Sequence, residues 1–172
     1  PALLDLCIGE ILDQVAARQP ESPALILRDE GLHFNWSELQ HEVERTACGL
    51  MALGFAKGDR VGIWATNVSQ WVLMQFATAK AGLVLVNVNP AYRAYELRYV
   101  LRKSRMRALF LWERDHRSAY RALLEEARDG QTLPLEHAVF IGAQSWSEMF
   151  DNGRDIPDVS VTAHDVTNIQ YT

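Results

Sequence analysis

The stretch that decides the fold spans residues 82–104, GLVLVNVNPAYRAYELRYVLRKS, and its hydrophobic period changes once. Residues 83–88 form an almost continuous apolar, largely β-branched run, which is typical of a strand covered on both faces of a parallel sheet. Asn89-Pro90 ends this strand, because proline has no backbone N–H and holds the preceding residue extended. From Ala94 onward apolar residues recur at helical spacing, which predicts an amphipathic helix.

Strand and helix signals alternate along the rest of the chain. Periodicity predicts helices over residues 4–18, 69–81 and 118–128, and strands over 61–65, 108–112, 138–141 and 168–171. Residues 24–28 and 32–36 are predicted to form a β-hairpin around Gly31, and residues 151–164 a polar surface loop. A further helix is predicted between a capping box at Ser37 and Gln40 and a stop at Gly54.

Strands separated by helices of this length imply right-handed crossovers. The sequence therefore predicts an α/β fold with a mostly parallel, doubly wound sheet, flanking helices, an N-terminal helix and a small hairpin.

Length and composition restrict the class of protein. A chain of 172 residues with 48% apolar residues suffices for one domain with a core, and 17 basic against 22 acidic residues argue against a nucleic-acid partner. Cys7 and Cys48 are too few for a disulfide framework or a zinc site. No apolar run approaches the roughly 20 residues of a membrane-spanning helix. We therefore expect a soluble cytoplasmic protein.

The sequence contains no complete catalytic constellation. Neither the dinucleotide-binding turn nor the Walker phosphate loop occurs, and no serine lies in a nucleophile elbow. Ser69 and Ser118 are predicted to cap helices instead. The five histidines lack the spacing of metal ligands, so we predict neither catalytic residues nor a metal site in this chain.

A basic cluster and two asparagines are the remaining candidates for ligand contact. The cluster consists of Arg98, Arg102, Lys103, Arg105 and Arg107. Cations at a helix C-terminus are favourable without any ligand, because they offset the helix dipole, and this interpretation is preferred. Asn87 and Asn89 follow a predicted parallel strand, at the edge where ligands of open α/β sheets bind.

A long segment resembles a known family. Residues 60–104, RVGIWATNVSQWVLMQFATAKAGLVLVNVNPAYRAYELRYVLRKS, resemble the N-terminal part of fatty-acyl-CoA synthetases in the adenylate-forming superfamily, together with luciferases and peptide-synthetase adenylation domains. The segments LLD at 3–5, RQP at 18–20 and FNWSEL at 34–39 support the match upstream. Downstream, NIQYT at 168–172 resembles the lead-in to the glycine-rich phosphate loop of the family, T-S-G-T-T-G-x-P-K-G, of which only Thr172 is present.

The resemblance implies that residues 1–172 are the N-terminal portion of the large AMP-binding domain of a longer fatty acid–CoA ligase. The parent enzyme would use ATP, Mg²⁺ and CoA, and Thr172 is the single residue to which a cofactor-binding role carries over. Thr66 stands where many relatives have proline, and Arg93 where a Ser or Thr cap is common, which leaves the local turn and cap geometry open.

Three further expectations follow from the absent parts of such an enzyme. We expect this chain alone to be inactive and to bind no cofactor tightly. We also expect it to form a symmetric dimer, because uncovered apolar surface and a free strand edge seek a partner. Two alternatives remain: an amino-acid-activating or luciferase-like member of the superfamily, and a stand-alone flavodoxin-like binding domain.

Overall fold

The computed structural model describes residues 5–151 and 159–171. The helices are Ile8–Arg18 (α1), Trp36–Ala52 (α2), Ser69–Lys80 (α3), Ala94–Ser104 (α4), Tyr120–Arg128 (α5) and Gln144–Asp151 (α6). The strands are Pro23–Leu27 (β1), Leu32–Asn35 (β2), Arg60–Trp64 (β3), Val84–Asn87 (β4), Ala108–Leu111 (β5), His137–Phe140 (β6) and Asn168–Gln170 (β7). Residues 4 and 172, and residues 152–158 of the predicted loop, lie outside the described part.

The predicted hairpin is present, and its turn requires a glycine. β1 and β2 pair antiparallel through partners such as Leu27 and Leu32. A single 3₁₀ turn, Arg28–Glu30, joins the strands, and Gly31 follows it with φ of 61°. That left-handed conformation costs glycine no Cβ clash, which explains the residue at this position.

The N-terminus of α2 corrects one prediction. The reciprocal capping pair is Asn35 and Glu38: the Glu38 N–H donates to the Asn35 side chain over 2.8 Å, and the Asn35 N–H donates to the Glu38 carboxylate over 2.8 Å. Ser37 and Gln40 therefore do not form the box, because the helix begins two residues earlier than the sequence indicated, with Asn35 rather than Ser37 at the cap position. Gln40 instead donates to Asp13 of α1.

A five-stranded parallel sheet forms the centre of the fold. The spatial order is β6-β5-β3-β4-β7, and every neighbouring pair is parallel. Helices α1, α2 and α3 pack together, and α4 packs with α5. The predicted α/β class with a parallel, doubly wound sheet is confirmed.

Alternate residues of β4 enter two separate hydrophobic cores. Leu85 belongs to the core that includes residues of α2 and α3, and Val86 to the core that includes residues of α4 and α5. Both side chains are fully buried. The continuous apolar run that predicted this strand thus reflects burial on both of its faces.

Helix α6 was not predicted. It covers Gln144–Asp151, and its buried Met149 lies against α2 at Gly49, where an added Cβ would come within 2.9 Å of the Met149 Cγ. No helix in the described part of the chain combines the length and apolar character that crossing a bilayer requires.

Candidate functional site

The order of the strands creates a crevice at the carboxyl edge of the sheet. The chain passes from β3 to β4 on one side, then returns past β3 to β5 on the other. The loops that follow β3 and β5 therefore leave in opposite directions. Open α/β sheets bind ligands outside the carboxyl ends of their strands at such a switch point.

A cavity of about 650 Å³ occupies this position between the hairpin and the sheet. Its lining consists of residues 26–30 from the hairpin, residues 66–68 after β3, and Trp112, Arg114 and Asp115 after β5. Arg28 and Arg114 have no ion-pair partner among the described residues. The cavity thus offers two cations, the Asp29 carboxylate, an indole and some apolar surface to a ligand.

One acidic residue of the crevice is already engaged by the protein. The two carboxylate oxygens of Glu30 accept from the Ser69 N–H over 2.9 Å and from the Ser69 hydroxyl over 2.6 Å. This carboxylate lies at the N-terminus of α3, where negative charge is favourable. Ser69 therefore does not cap its own helix as predicted, because Val68 holds the cap position and Glu30 supplies the acceptor.

A second carboxylate orders the loop that follows β5. Asp115 accepts from the backbone N–H groups of Arg117 and Ser118 over 2.7 and 2.8 Å, and from the Tyr120 hydroxyl over 2.9 Å. Burial acts to raise the pKa of Asp115, but these donors outweigh it and lower the pKa. Ser118 is thus part of this loop, and Ala119 is the residue that precedes α5.

The buried Tyr120 connects that loop to the neighbouring strand. Its ring meets Trp64 edge to face, and the Trp64 indole N–H donates to the Asn89 carbonyl over 3.0 Å. Burial, followed by the hydrogen bond to Asp115, raises the pKa of Tyr120 to about 12. The phenol is therefore a neutral donor at physiological pH, and these contacts join the end of β3 to the loops after β4 and β5. Trp64 is fully buried and serves packing.

The ends of β4 and β7 form the other half of this edge. The Asn168 side-chain amide donates to the Asn87 side-chain oxygen over 3.1 Å. The Asn89 side chain accepts from the Ala91 N–H over 2.9 Å, which is a turn-forming role. Tyr171 follows β7 and packs beside Tyr99, with ring centroids 6.2 Å apart. Thr172, the predicted cofactor contact, lies outside the described residues.

The basic cluster does not form one binding surface. Arg98 donates to the Ala127 and Glu126 carbonyls at the end of α5, each over 3.0 Å. Arg107 pairs with Glu136 and Asp59 at the opposite, amino edge of the sheet. These arginines therefore hold elements of the fold together, a structural role that differs from the predicted offset of the dipole of their own helix.

No group of three or more His, Cys, Asp or Glu side chains positioned for a metal ion occurs within residues 5–151 and 159–171. Sequence reasoning missed Glu30, which lay in the predicted hairpin turn, and Asp115, which lay between a predicted strand and a predicted helix, because the partners of both depend on the tertiary fold. An acidic residue in the turn of a hairpin is common, so its presence there did not indicate a contact with another element.

Comparison with known proteins identifies the family. Residues 12–172 match the family model described as "AMP-binding enzyme". The mitochondrial medium-chain acyl-CoA ligase ACSF2 of Rattus norvegicus is 50% identical over 101 residues, which cover 59% of this chain and 16% of that protein. YngI of Bacillus subtilis (strain 168), whose name assigns it provisionally to the acyl-CoA synthetases, is 36% identical over 86% of this chain and 29% of its own length.

A solved structure has the same fold. The fatty acyl CoA synthetase of Mycobacterium tuberculosis superimposes with a TM-score of 0.85 at 25% identity, covering 96% of this chain and 32% of that one. The chain thus spans less than a third of the length of each of these proteins. Because the family model covers nearly all of the sequence, this chain belongs to the AMP-binding enzyme family.

Proposed function

We propose that residues 1–172 form the N-terminal portion of the large domain of an ATP-dependent acyl-CoA ligase whose acyl substrate is a fatty acid. One observation carries the proposal: β7 runs parallel to β4 and brings Tyr171 to the carboxyl edge of the sheet. The residue after it is Thr172, which we assign to the start of the phosphate-binding loop. The names of the ACSF2 and YngI relatives support the reaction class.

The proposed reaction has two steps. A carboxylate oxygen of the fatty acid attacks the α-phosphorus of ATP, which forms an acyl-adenylate and releases pyrophosphate. The thiolate of CoA then attacks the acyl carbon, which forms a thioester and releases AMP. A mobile loop of glycines and hydroxyl residues suits the first step, because its backbone N–H groups surround the triphosphate.

The described residues would contribute scaffold to this chemistry. Mg²⁺ does not fit them as a resident ion, since they offer no set of three ligating side chains. We therefore assign Mg²⁺ to the ATP complex, as part of the substrate. The chain alone, which carries none of the loop beyond Thr172, is proposed to be inactive and to hold ATP and CoA only weakly.

ATP–pyrophosphate exchange tests the proposal. The complete polypeptide that contains these 172 residues is expected to catalyse exchange when fatty acids are supplied, and the 172-residue chain alone is expected to give the rate of a heat-killed control. A panel of fatty acids, amino acids and luciferin-like carboxylates distinguishes the acyl-CoA ligase from the other members of the superfamily. Exchange that depends on an amino acid would contradict the fatty-acid assignment.

The flavodoxin-like alternative is not favoured. In that fold the fifth strand of the sheet, counted along the chain, lies beside the fourth. Here the fifth strand of the sheet is β7, and it lies beside β4, the second strand of the sheet, at the opposite edge from the fourth strand, β6. We include a cytoplasmic location and a symmetric dimer of this chain in the proposal. Because the name of the rat relative places that protein in mitochondria, fractionation of cells that express the complete polypeptide is the test of location.

A further inference from the structure

Residues 159–167, here called the strap, lead into β7 along the amino edge of the sheet. Only three residues of β7 pair with β4: Asn168 with Leu85, Ile169 with Val86, and Gln170 with Asn87. A strand this short has little pairing of its own to fix its position. The contacts of the strap therefore matter for where β7 lies.

Lys57 is the main polar anchor of the strap. Its ammonium group donates to the Ser160 carbonyl over 2.6 Å and pairs with the Asp165 carboxylate at 2.8 Å. The same carboxylate accepts from the Thr162 N–H over 2.7 Å, which closes a turn within the strap. The hydrogen bond from Lys57, followed by that from Thr162, lowers the pKa of Asp165, so this carboxylate is ionised at neutral pH.

Gly82 provides the apolar seat of the strap. A Cβ added at this glycine would lie 2.8 Å from the Val159 Cγ1 and 3.4 Å from the Val161 Cγ2, so the strap occupies the space that a side chain would need. The Gly82 carbonyl also accepts from the Gly58 N–H over 2.8 Å. This bond joins the turn that carries Lys57 to the turn that precedes β4.

The hydrophobic pattern alone does not determine the register of β7. Ile169 and Tyr171 both face the core that contains Val86, so a shift of one residue would expose them and bury Asn168 and Gln170. A shift of two residues keeps the faces correct but moves Tyr171 by about 7 Å along the sheet. The contacts of the strap, together with the Asn168–Asn87 hydrogen bond, oppose this second kind of shift.

We propose that Lys57 and Gly82 are positioning residues: by fixing the strap they set the register of β7, and with it the point at which Tyr171 and the phosphate-binding segment reach the carboxyl edge. The inference rests on the proposed function for its catalytic consequence only. The two residues lie at the opposite end of the sheet from that edge and touch no substrate.

Amide hydrogen exchange, measured by NMR on this chain, tests the structural part of the proposal, that Lys57 and Gly82 fix the position of β7. The Leu85 N–H donates to the Thr167 carbonyl of the strap over 3.0 Å, whereas the adjacent Val84 N–H donates to Asp59 over 2.9 Å. Val84 is therefore an internal control within the same strand. We expect Lys57→Met and Gly82→Ala to accelerate exchange at Leu85 about tenfold through local opening while Val84 keeps its protection.

Two matched variants control for the loss of a lysine and for backbone strain at a glycine. Lys103→Met removes an exposed lysine that forms no ion pair with the strap among the described residues. Gly130→Ala imposes similar backbone strain, because Gly130 has φ of 61° against 67° for Gly82, but its Cβ would meet nothing within 4 Å. Both controls are expected to leave Leu85 exchange unchanged. Unchanged Leu85 exchange in Lys57→Met and Gly82→Ala would overturn the inference.

ATP–pyrophosphate exchange by the complete polypeptide tests the catalytic consequence of the proposal, that the position of β7 affects the binding of ATP. Lys57→Met is expected to raise the KM for ATP about tenfold at a temperature where the variant remains folded, because a displaced loop binds the triphosphate poorly. A variant with faster Leu85 exchange and an unchanged KM would refute the positioning role. A wild-type polypeptide without exchange activity would refute the proposed function instead, and the Leu85 measurement would still judge the strap.

Discussion

The ring of Tyr120 meets the ring of Trp64 edge to face, with centroids 4.8 Å apart and an interplanar angle of 89°. Both side chains are fully buried at the carboxyl end of the sheet. Edge-to-face pairs of this kind stabilise a core beyond the area they bury. Tyr120 also donates a hydrogen bond to Asp115, which orders the loop after β5. The conformation of this loop therefore depends on the packing of Tyr120 against Trp64.

Removing the Tyr120 hydroxyl tests this dependence. Tyr120→Phe keeps the ring contact but deprives Asp115 of one donor, and we expect the free energy of unfolding to fall by about 1–2 kcal/mol. Urea denaturation measures the change. Tyr95→Phe is the control, because Tyr95 is 79% exposed and its hydroxyl is solvated. A Tyr120→Phe variant as stable as wild type would mean that the loop does not depend on this bond.

A charge on β4 is expected to prevent folding. Val86 is fully buried between strands β3 and β7, so Val86→Asp places a carboxylate among apolar side chains. We expect a loss of several kcal/mol, which rivals the roughly 5–15 kcal/mol of total domain stability. Soluble yield and thermal melting measure it, with Ile26→Asp as the control at a 52% exposed position outside the strap. An unchanged melting temperature for Val86→Asp would contradict the buried strand.

The elements of the sheet could be predicted because their signals are local. The apolar run of β4 and the helical spacing of α4 lie within a single stretch of sequence. Helix α6 carries only a short signal: Trp146, Met149 and Phe150 are spaced i, i+3 and i+4 within eight residues, a pattern that the prediction of a polar loop from residue 151 onward did not use. What fixes it is the contact of Met149 with Gly49, one hundred residues earlier in the chain, and no local pattern reports that contact.

The candidate site shows the same limit. Asn87 and Asn89 could be placed at the carboxyl edge, because a parallel strand ends there. Glu30 could not be assigned, since it reaches Ser69 only after the hairpin folds over the sheet. The acceptor role of Asp115 likewise depends on the burial of Tyr120. The sequence was enough to place residues at the carboxyl edge of the sheet. Tertiary packing decides which side chains at that edge remain available to a ligand.

Acid is expected to weaken the ion pair at the amino edge. The hydrogen bonds from Arg107 lower the pKa of Glu136 below its value in the unfolded chain. This pair therefore stabilises the fold above the unfolded pKa of about 4.3, and the contribution disappears as the pH falls through the folded pKa. We expect Glu136→Gln to be less stable than wild type at pH 7, and the difference to vanish in strong acid.

Thermal melting from pH 7 downward checks the sign of this effect. Glu125→Gln is the matched control, because Glu125 is exposed on α5 and its side chain forms no ion pair among the described residues. Its difference from wild type is expected to be small at every pH. A Glu136→Gln difference that grew on acidification would contradict the assigned direction.

The outer edge of β7 is expected to pair with a second copy of the chain. Within the described residues, β7 pairs with β4 only. The bond from Leu85 to the Thr167 carbonyl directs the backbone groups of Thr167 and Ile169 toward β4. Because alternate residues of a parallel strand bond to the same neighbour, those of Asn168 and Gln170 face outward. An open edge of this kind is a template for another strand.

Proline at position 170 offers a direct test of that edge. Gln170→Pro removes an outward N–H, leaves the ladder to β4 intact and is compatible with an edge strand. We expect wild type to dimerise with rising concentration in sedimentation velocity, since charge repulsion from the acidic surface is screened within about 10 Å at 0.1 M salt. Gln170→Pro is expected to remain monomeric, and Gln170→Thr to behave as wild type. Wild type that sediments as one monomeric species at the highest concentration would contradict the prediction, and dimers that persist in Gln170→Pro would assign the contact to another surface.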